Sequence, residues 1–174
     1  INKILQRKPD LVVSGINHGS NMSINVIYSG TMSAAVEGAI ESVPAIGFSL
    51  MDESIDADFT AAKKIVKTIA LQVIKKGLPK GVCLNVNIPN LKYEQLKGIK
   101  VCRQAKANWI EELDERKDPA GKTYFWLTGK FENFDKGQKD TDVWALENNY
   151  VSVVPTQFDM TAHDSIPLLT KWKM

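Results

Sequence analysis

A chain of 174 residues with 44% hydrophobic and 24% charged side chains has the composition of one globular domain with room for a core, which excludes a disordered or fibrous protein. Its 22 basic and 20 acidic residues are interspersed and leave a net charge of +2, so there is no basic stripe of the kind that binds nucleic acid. No apolar run approaches the roughly 18 residues that cross a bilayer, and nothing at the start reads as a secretory signal, so neither nucleic acid nor membrane is expected as a partner.

The chain opens with INKILQRK, where Ile1, Ile4 and Leu5 fall at helical spacing with no capping residue before them. This reads as the tail of a helix whose beginning lies outside the sequence, so an N-terminally truncated or processed chain is expected. Lys8-Pro9-Asp10 forms a turn, and Leu11 to Ser14 is a buried strand. A stretch crowded with Gly, Asn, Ser and His follows, and Ser29-Gly30-Thr31 then starts a small-residue helix from about Thr31 to Ser42. Ala45 to Leu50 is a second buried strand, followed by an acidic loop, Asp52 to Asp58. In the next helix Ala62, Ile65, Val66, Ile69, Ala70, Val73 and Ile74 make an apolar face, the lysines at 63, 64, 67, 75 and 76 lie largely off it, and Gly77 stops it.

Val82 to Ile88 is a third strand, stopped by Pro89. The alternation of strands and helices with short connections predicts a mostly parallel sheet with helices on both faces. Residues 99–134 read differently. They hold a strand-like Ile99 to Cys102, a charged stretch from Asn108 to Lys122, and the β-prone aromatic run Thr123 to Thr128. This is an antiparallel hairpin excursion, whose aromatics suggest a subunit contact. Thr141 to Leu146 is a short capped helix, Tyr150 to Val154 a final strand ended by Pro155, and 156–174 a tail with helical character near its end. Asp159 and His163, four residues apart, pair locally. Cys83 and Cys102, each inside an apolar strand, read as buried free thiols, which suits a reducing cytoplasm.

The candidate site is the stretch from Asp10 to Gly38, where a strand runs through a glycine-bearing loop into a helix N-terminus. Backbone N–H groups and the positive end of a helix dipole converge in such a place and hold anions. Ser29, Gly30 and Thr31 suit phosphate, two hydroxyls flanking a glycine that permits close approach, although Ser29 reads equally well as a simple N-cap. Asn17 can give a hard divalent cation one neutral oxygen, but the nearby acids, Asp10 and Glu37, sit at the wrong end of the strand or inside the helix. His18 reads more readily as a hydrogen-bonded loop residue than as a general acid or base.

The segments PDLVVSGINHGSN (residues 9–21), YSGTMSAAVEG (28–38), PAIGFSL (44–50), LNVNIP (84–89) and TDVWALENNYVSVVPTQFDMTAH (141–163) together resemble the SurE family of survival-protein nucleotidases over nearly the whole chain. The resemblance implies a three-layer Rossmann-like domain with a projecting β-hairpin arm and a homodimer or tetramer with exchanged C-terminal elements. It also implies a divalent cation, Mg²⁺ or Mn²⁺, and hydrolysis of nucleoside monophosphates, with short polyphosphate as a further substrate class. It gives Asn17 the role of neutral metal ligand and assigns Ser29, Gly30 and Thr31 to the phosphate cradle, with Gly15, Gly19 and Asn21 shaping the pocket. The family's N-terminal strand ending in Asp-Asp-Gly, which supplies the acidic ligands, and a later serine ligand have no counterpart in this sequence. The isolated chain is accordingly expected to be inactive. The alternative is a non-catalytic nucleotide- or phosphate-binding module.

Overall fold

The computed structural model describes residues 1 and 3–172. Five strands form the main sheet in the order β1-β2-β3-β7-β4: β1 (Val12–His18), β2 (Ala45–Met51), β3 (Val82–Pro89), β4 (Ile99–Val101) and β7 (Val151–Gln157). β1, β2 and β3 are parallel, β7 runs antiparallel to β3, and β4 is parallel to β7. The expected α/β architecture is therefore present, a mostly parallel sheet between helical layers.

Alternation along β2 sorts the two layers. Ile46, Phe48 and Leu50 point to one face, where they join Val86, Ile88, Val151 and Val153 beneath Ala62, Ile65, Ile69 and Val73 of α3 (Thr60–Lys76). Ala45 points to the other face and packs with Cys83 against Met32, Ala35 and Ala39 of α2 (Gly30–Ile40). That second layer also holds α4 (Asp142–Glu147), whose Ala145 packs on Val154 and Cys102. Small residues bring α2 close: a Cβ on Gly47 would meet the Met32 sulfur. The α3 lysines are all exposed, while Ile74, placed by periodicity on the apolar face, is 55% exposed.

The arm is a separate two-stranded sheet of β5 (Ala107–Lys117) and β6 (Thr123–Asn133). It is shorter than the excursion predicted for 99–134, because Ile99–Val101 is β4 of the main sheet. Arg103 ties its foot to the body through Asp135 (2.7 Å) and Asp140 (2.9 Å).

Two further expectations are corrected, and the helical character of the tail is borne out. Residues 3–10 hold turns and bends with no helix. Pro9 disfavours helical geometry at Lys8, and Ile4 is 91% exposed, so no packing rewards a helix there. β7 continues through Pro155, which pairs with Leu84 of β3; β4 flanks only Val151–Val153, so Pro155 sits where no second neighbour needs its missing N–H. In the tail, a single 3-10 turn (His163–Ser165) leads into a one-turn helix α5 (Ile166–Leu169); residues 173–174 lie outside the described residues. Thr141 caps α4 as expected, accepting from the Trp144 N–H, and both cysteines are free and buried.

Phe48, fully buried at the centre of the α3 layer, is the largest enclosed side chain. Phe48→Ala is expected to lower unfolding free energy by about 3–5 kcal/mol, read from the urea midpoint at unchanged slope.

Candidate active site

The carboxyl end of β1 is shaped by a bulge. Ser14 pairs with Gly47, but Asn17 rather than Ile16 pairs with Ser49, so one extra residue is inserted between them. The insertion turns Ile16 onto the α3 layer, where it packs against the core, and brings Asn17 to the α2 face. Gly15 makes this possible: its φ is +103°, and a Cβ there would collide with the Phe48 carbonyl oxygen.

Asn17 is held by its own amide. Nδ2 donates to the carbonyls of His18 (2.7 Å) and Gly19 (2.9 Å), leaving Oδ1 as an acceptor with no protein partner among the described residues. Gly19, with φ +80°, donates its N–H to the Asp52 carbonyl at 3.0 Å, and the His18 ring bonds through Nδ1 to the Ser54 carbonyl at 2.9 Å and lies edge-on to Phe59. His18 is thus hydrogen-bonded as expected, although it is the last residue of β1 rather than part of the loop. His163 pairs with Asp159 at 3.0 Å, and Thr161 and His163 together hold the Asp159 carboxyl down to about 2.

Asn17 belongs to a polar row across the sheet, Asn17, Ser49, Asn87, Ser152 and Lys100 being successive register partners. On this row rests Asn21, 6% exposed, whose N–H donates to Asn87 Oδ1 (2.7 Å) and whose side chain donates to Ser49 Oγ (2.6 Å). Asn85 donates to the Asn21 carbonyl (2.8 Å), and Asn87 donates to Asn85 (3.0 Å). The sheet thus offers the loop a polar floor where neighbouring strands are otherwise apolar. The alternation of Asn85 and Asn87 inside a hydrophobic strand is the sequence signal that could have revealed this floor.

A second fastening was also missed. Asp142, fully buried at the start of α4, accepts from the N–H groups of Ser23 (2.8 Å), Ala105 (2.9 Å) and Val143 (2.8 Å). Ser23, at φ 51°, donates its hydroxyl to the carbonyls of Ala105 and Ala107. The first-turn acid read from the sequence as a helix-starting signal is also the anchor of the loop.

The loop delivers the chain through a short helix α1 (Asn25–Tyr28) to α2. Ser29 is the N-cap, buried, with Oγ accepting from Met32 N at 3.0 Å. The Ser33 N–H goes to the Ser29 carbonyl, which leaves the N–H groups of Gly30 and Thr31 as the open donors of the first turn. Space around Gly30 is open, and the Thr31 carbonyl lies 3.5 Å from where a Cβ on Gly47 would stand, two residues before Ser49. Asn17 and the start of α2 therefore both lie beside β2, at Ser49 and Gly47 respectively.

Among the described residues no three of His, Cys, Asp and Glu converge as metal ligands. Asn17 offers one neutral oxygen, and a hard divalent cation requires carboxylates beside it. The residues of this chain do not by themselves fit such an ion. No helix of the described residues is long and apolar enough to cross a membrane.

A parallel-stranded α/β layer protein with its polar loop and helix N-terminus at the carboxyl ends of the strands is the class defined by this geometry. A family profile described as survival protein SurE matches residues 1–111, so the chain belongs to the SurE family. It is 64% identical over 174 residues to the 5'-nucleotidase SurE of Flavobacterium psychrophilum, covering 100% of this chain and 67% of that protein. It is 66% identical over 172 residues to the 5'-nucleotidase SurE of Christiangramia forsetii, covering 99% and 66%. The crystal structure of the SurE protein from Aquifex aeolicus superposes with a TM-score of 0.82 at 41% identity, covering 94% of this chain and 65% of that one. The chain thus spans about two thirds of the length of these relatives.

Burial pushes the Asp142 carboxyl above its ordinary 3.8, against the pull of its N–H donors. A carboxyl raised in the folded state contributes stability fully below 3.8 and loses it as pH rises through the folded value. Asp142→Asn, which does not titrate there, is expected to close part of its stability deficit against wild type between acid and neutral pH, in urea titrations at each pH. Asp142→Ala also strands buried N–H donors; it is expected to cost about 3 kcal/mol at acid pH and to narrow toward neutral pH in the same way.

Proposed function

We propose that this chain carries the phosphate-binding half of a nucleotidase that hydrolyses nucleoside monophosphates to nucleoside and phosphate, with short polyphosphate as a further substrate. The observation that carries the reading is that two groups free to bind flank β2: the Asn17 oxygen, in register with Ser49, and the open N–H groups of Gly30 and Thr31, at the helix start beside Gly47. The printed name of the relatives, 5'-nucleotidase, supports the substrate class.

In this reading the Gly30 and Thr31 N–H groups and the Thr31 hydroxyl grip the phosphoryl oxygens, aided by the dipole of the eleven-residue α2. Such donors, fixed before the reaction, stabilise charge that grows on the phosphoryl group. Ser29 shapes the turn as cap, its hydroxyl proton remaining available to the phosphate. Gly15, Gly19 and Asn21 hold the loop in place. Asn17 would give its oxygen to a divalent cation, Mg²⁺ or Mn²⁺, whose carboxylate ligands would have to come from the third of the relatives' length that this chain does not span. We further place the protein in the cytoplasm as a homo-oligomer, dimer or tetramer, in which the arm's exposed Phe125 and Trp126 are covered by another copy.

In the full-length protein, Asn17→Ala is expected to reduce metal-stimulated release of phosphate from AMP about 100-fold or more, with the thermal midpoint little changed. Absence of hydrolysis by the full-length protein supplied with Mn²⁺ or Mg²⁺ would overturn the enzymatic reading. AMP binding indifferent to chelator would then favour a non-catalytic module. The 174-residue chain alone is expected to release no phosphate from AMP under the same conditions.

A further inference from the structure

Beside the start of α2 lies a groove of about 1010 Å³ between α1 and the foot of the arm. Its lining is aromatic and apolar where a flat ring would lie: Tyr28, 82% exposed, on one side and Trp109, 52% exposed, with Leu127 on the other. Tyr28 immediately precedes the Ser29 cap. The arm is notched at this place. On the face carrying Trp109, the cross-strand pairs run Trp109 with Phe131, Glu111 with Gly129, and Leu113 with Leu127. Gly129 therefore leaves a gap between two rows of large side chains, and a Cβ on it would strike the Ile110 carbonyl. Trp109 is braced edge-on by Phe131 at 5.8 Å.

The groove also connects with the loop. A smaller cavity of about 310 Å³ is lined by Gly19, Ser20, Asp52 and Glu53, and it shares Asn25 and Trp109 with the groove. Trp109 thus lines both the cavity beside the loop after β1 and the groove that Tyr28 enters, one residue before the N-cap of α2.

We propose that this groove is the nucleoside subsite, in which the base stacks on Trp109 and Tyr28 and Asn25 and Glu111 meet its polar edge. The proposal rests on the phosphomonoesterase reading of the same site. Flat π-faces on aromatic side chains favour any base, while the Glu111 carboxylate accepts from exocyclic amino groups and so favours bases that bear one. The arm then serves the reaction as a specificity element.

The test uses the full-length protein with two substrates, AMP and ribose 5-phosphate, which differ by the base alone. Wild type is expected to prefer AMP, and in Trp109→Ala and Tyr28→Ala the ratio of kcat/KM for AMP to that for ribose 5-phosphate is expected to fall about tenfold through KM, Trp109→Phe retaining most of it. Adenosine is expected to quench tryptophan fluorescence in wild type and much less in Trp109→Phe, a readout that needs no turnover. Equal losses on both substrates, or no preference for AMP in wild type, would overturn the subsite while leaving the phosphomonoesterase standing. A quench intact in Trp109→Phe would overturn it as well. Adenosine quenching that depends on Trp109 without hydrolysis of either ester would support the subsite and sink the phosphomonoesterase.

Discussion

The Gly15 backbone lies against the Phe48 carbonyl at a distance that no side chain would permit, and from this contact the geometry of the whole loop follows. The close approach lets β1 insert a residue without leaving β2, so the strand presents Ile16 to the hydrophobic layer and Asn17 to the polar one. Had the strand kept its two-residue period, Ile16 would stand in the row with Ser49 and Asn87, and Asn17 would face the α3 core. The neighbouring strand supplies the other half of the constraint, because Phe48 is locked by burial and its carbonyl cannot retreat.

One face of the sheet is divided along its length. At one end Ala45 and Cys83 pack against the small residues of α2, and at the other Ser49, Asn85 and Asn87 carry hydrogen bonds to Asn21. A buried amide network is stabilising only when its members are paired, and each Asn here has a partner. Ser152, next in the row, is the exception: its buried hydroxyl finds none among the described residues. The arrangement trades core packing for a rigid loop, a common exchange where a chain must hold backbone donors toward a ligand.

Much of this was legible in the residues. Apolar runs bounded by Gly and Pro marked β1, β2 and β3; the spacing of Ile65, Ile69 and Val73 marked α3; the hydroxyl of Thr141 marked α4. What escaped were features in which a second segment decides the outcome. The bulge needs Phe48 to explain Gly15. The charged strand β5 is exposed along nearly all its length, so it lacks the alternation that betrays a strand, and only its pairing with Thr123–Asn133 holds it extended. Pro155 reads as a terminator until β4 is seen to leave that flank of β7 open. Asp142 reads as a helix-starting acid until Ser23 arrives from 119 positions earlier.

That last separation has a bearing on how the protein is made. The loop that follows β1 is synthesised early, yet it is clasped by a carboxylate in α4 that emerges more than a hundred residues later. Contacts so distant in sequence form slowly, after the local helices and the nearest strand pairs. During synthesis the clasp between Ser23 and Asp142 can close only after β2, α3, β3 and the arm have been made, so this end of the loop is fastened late.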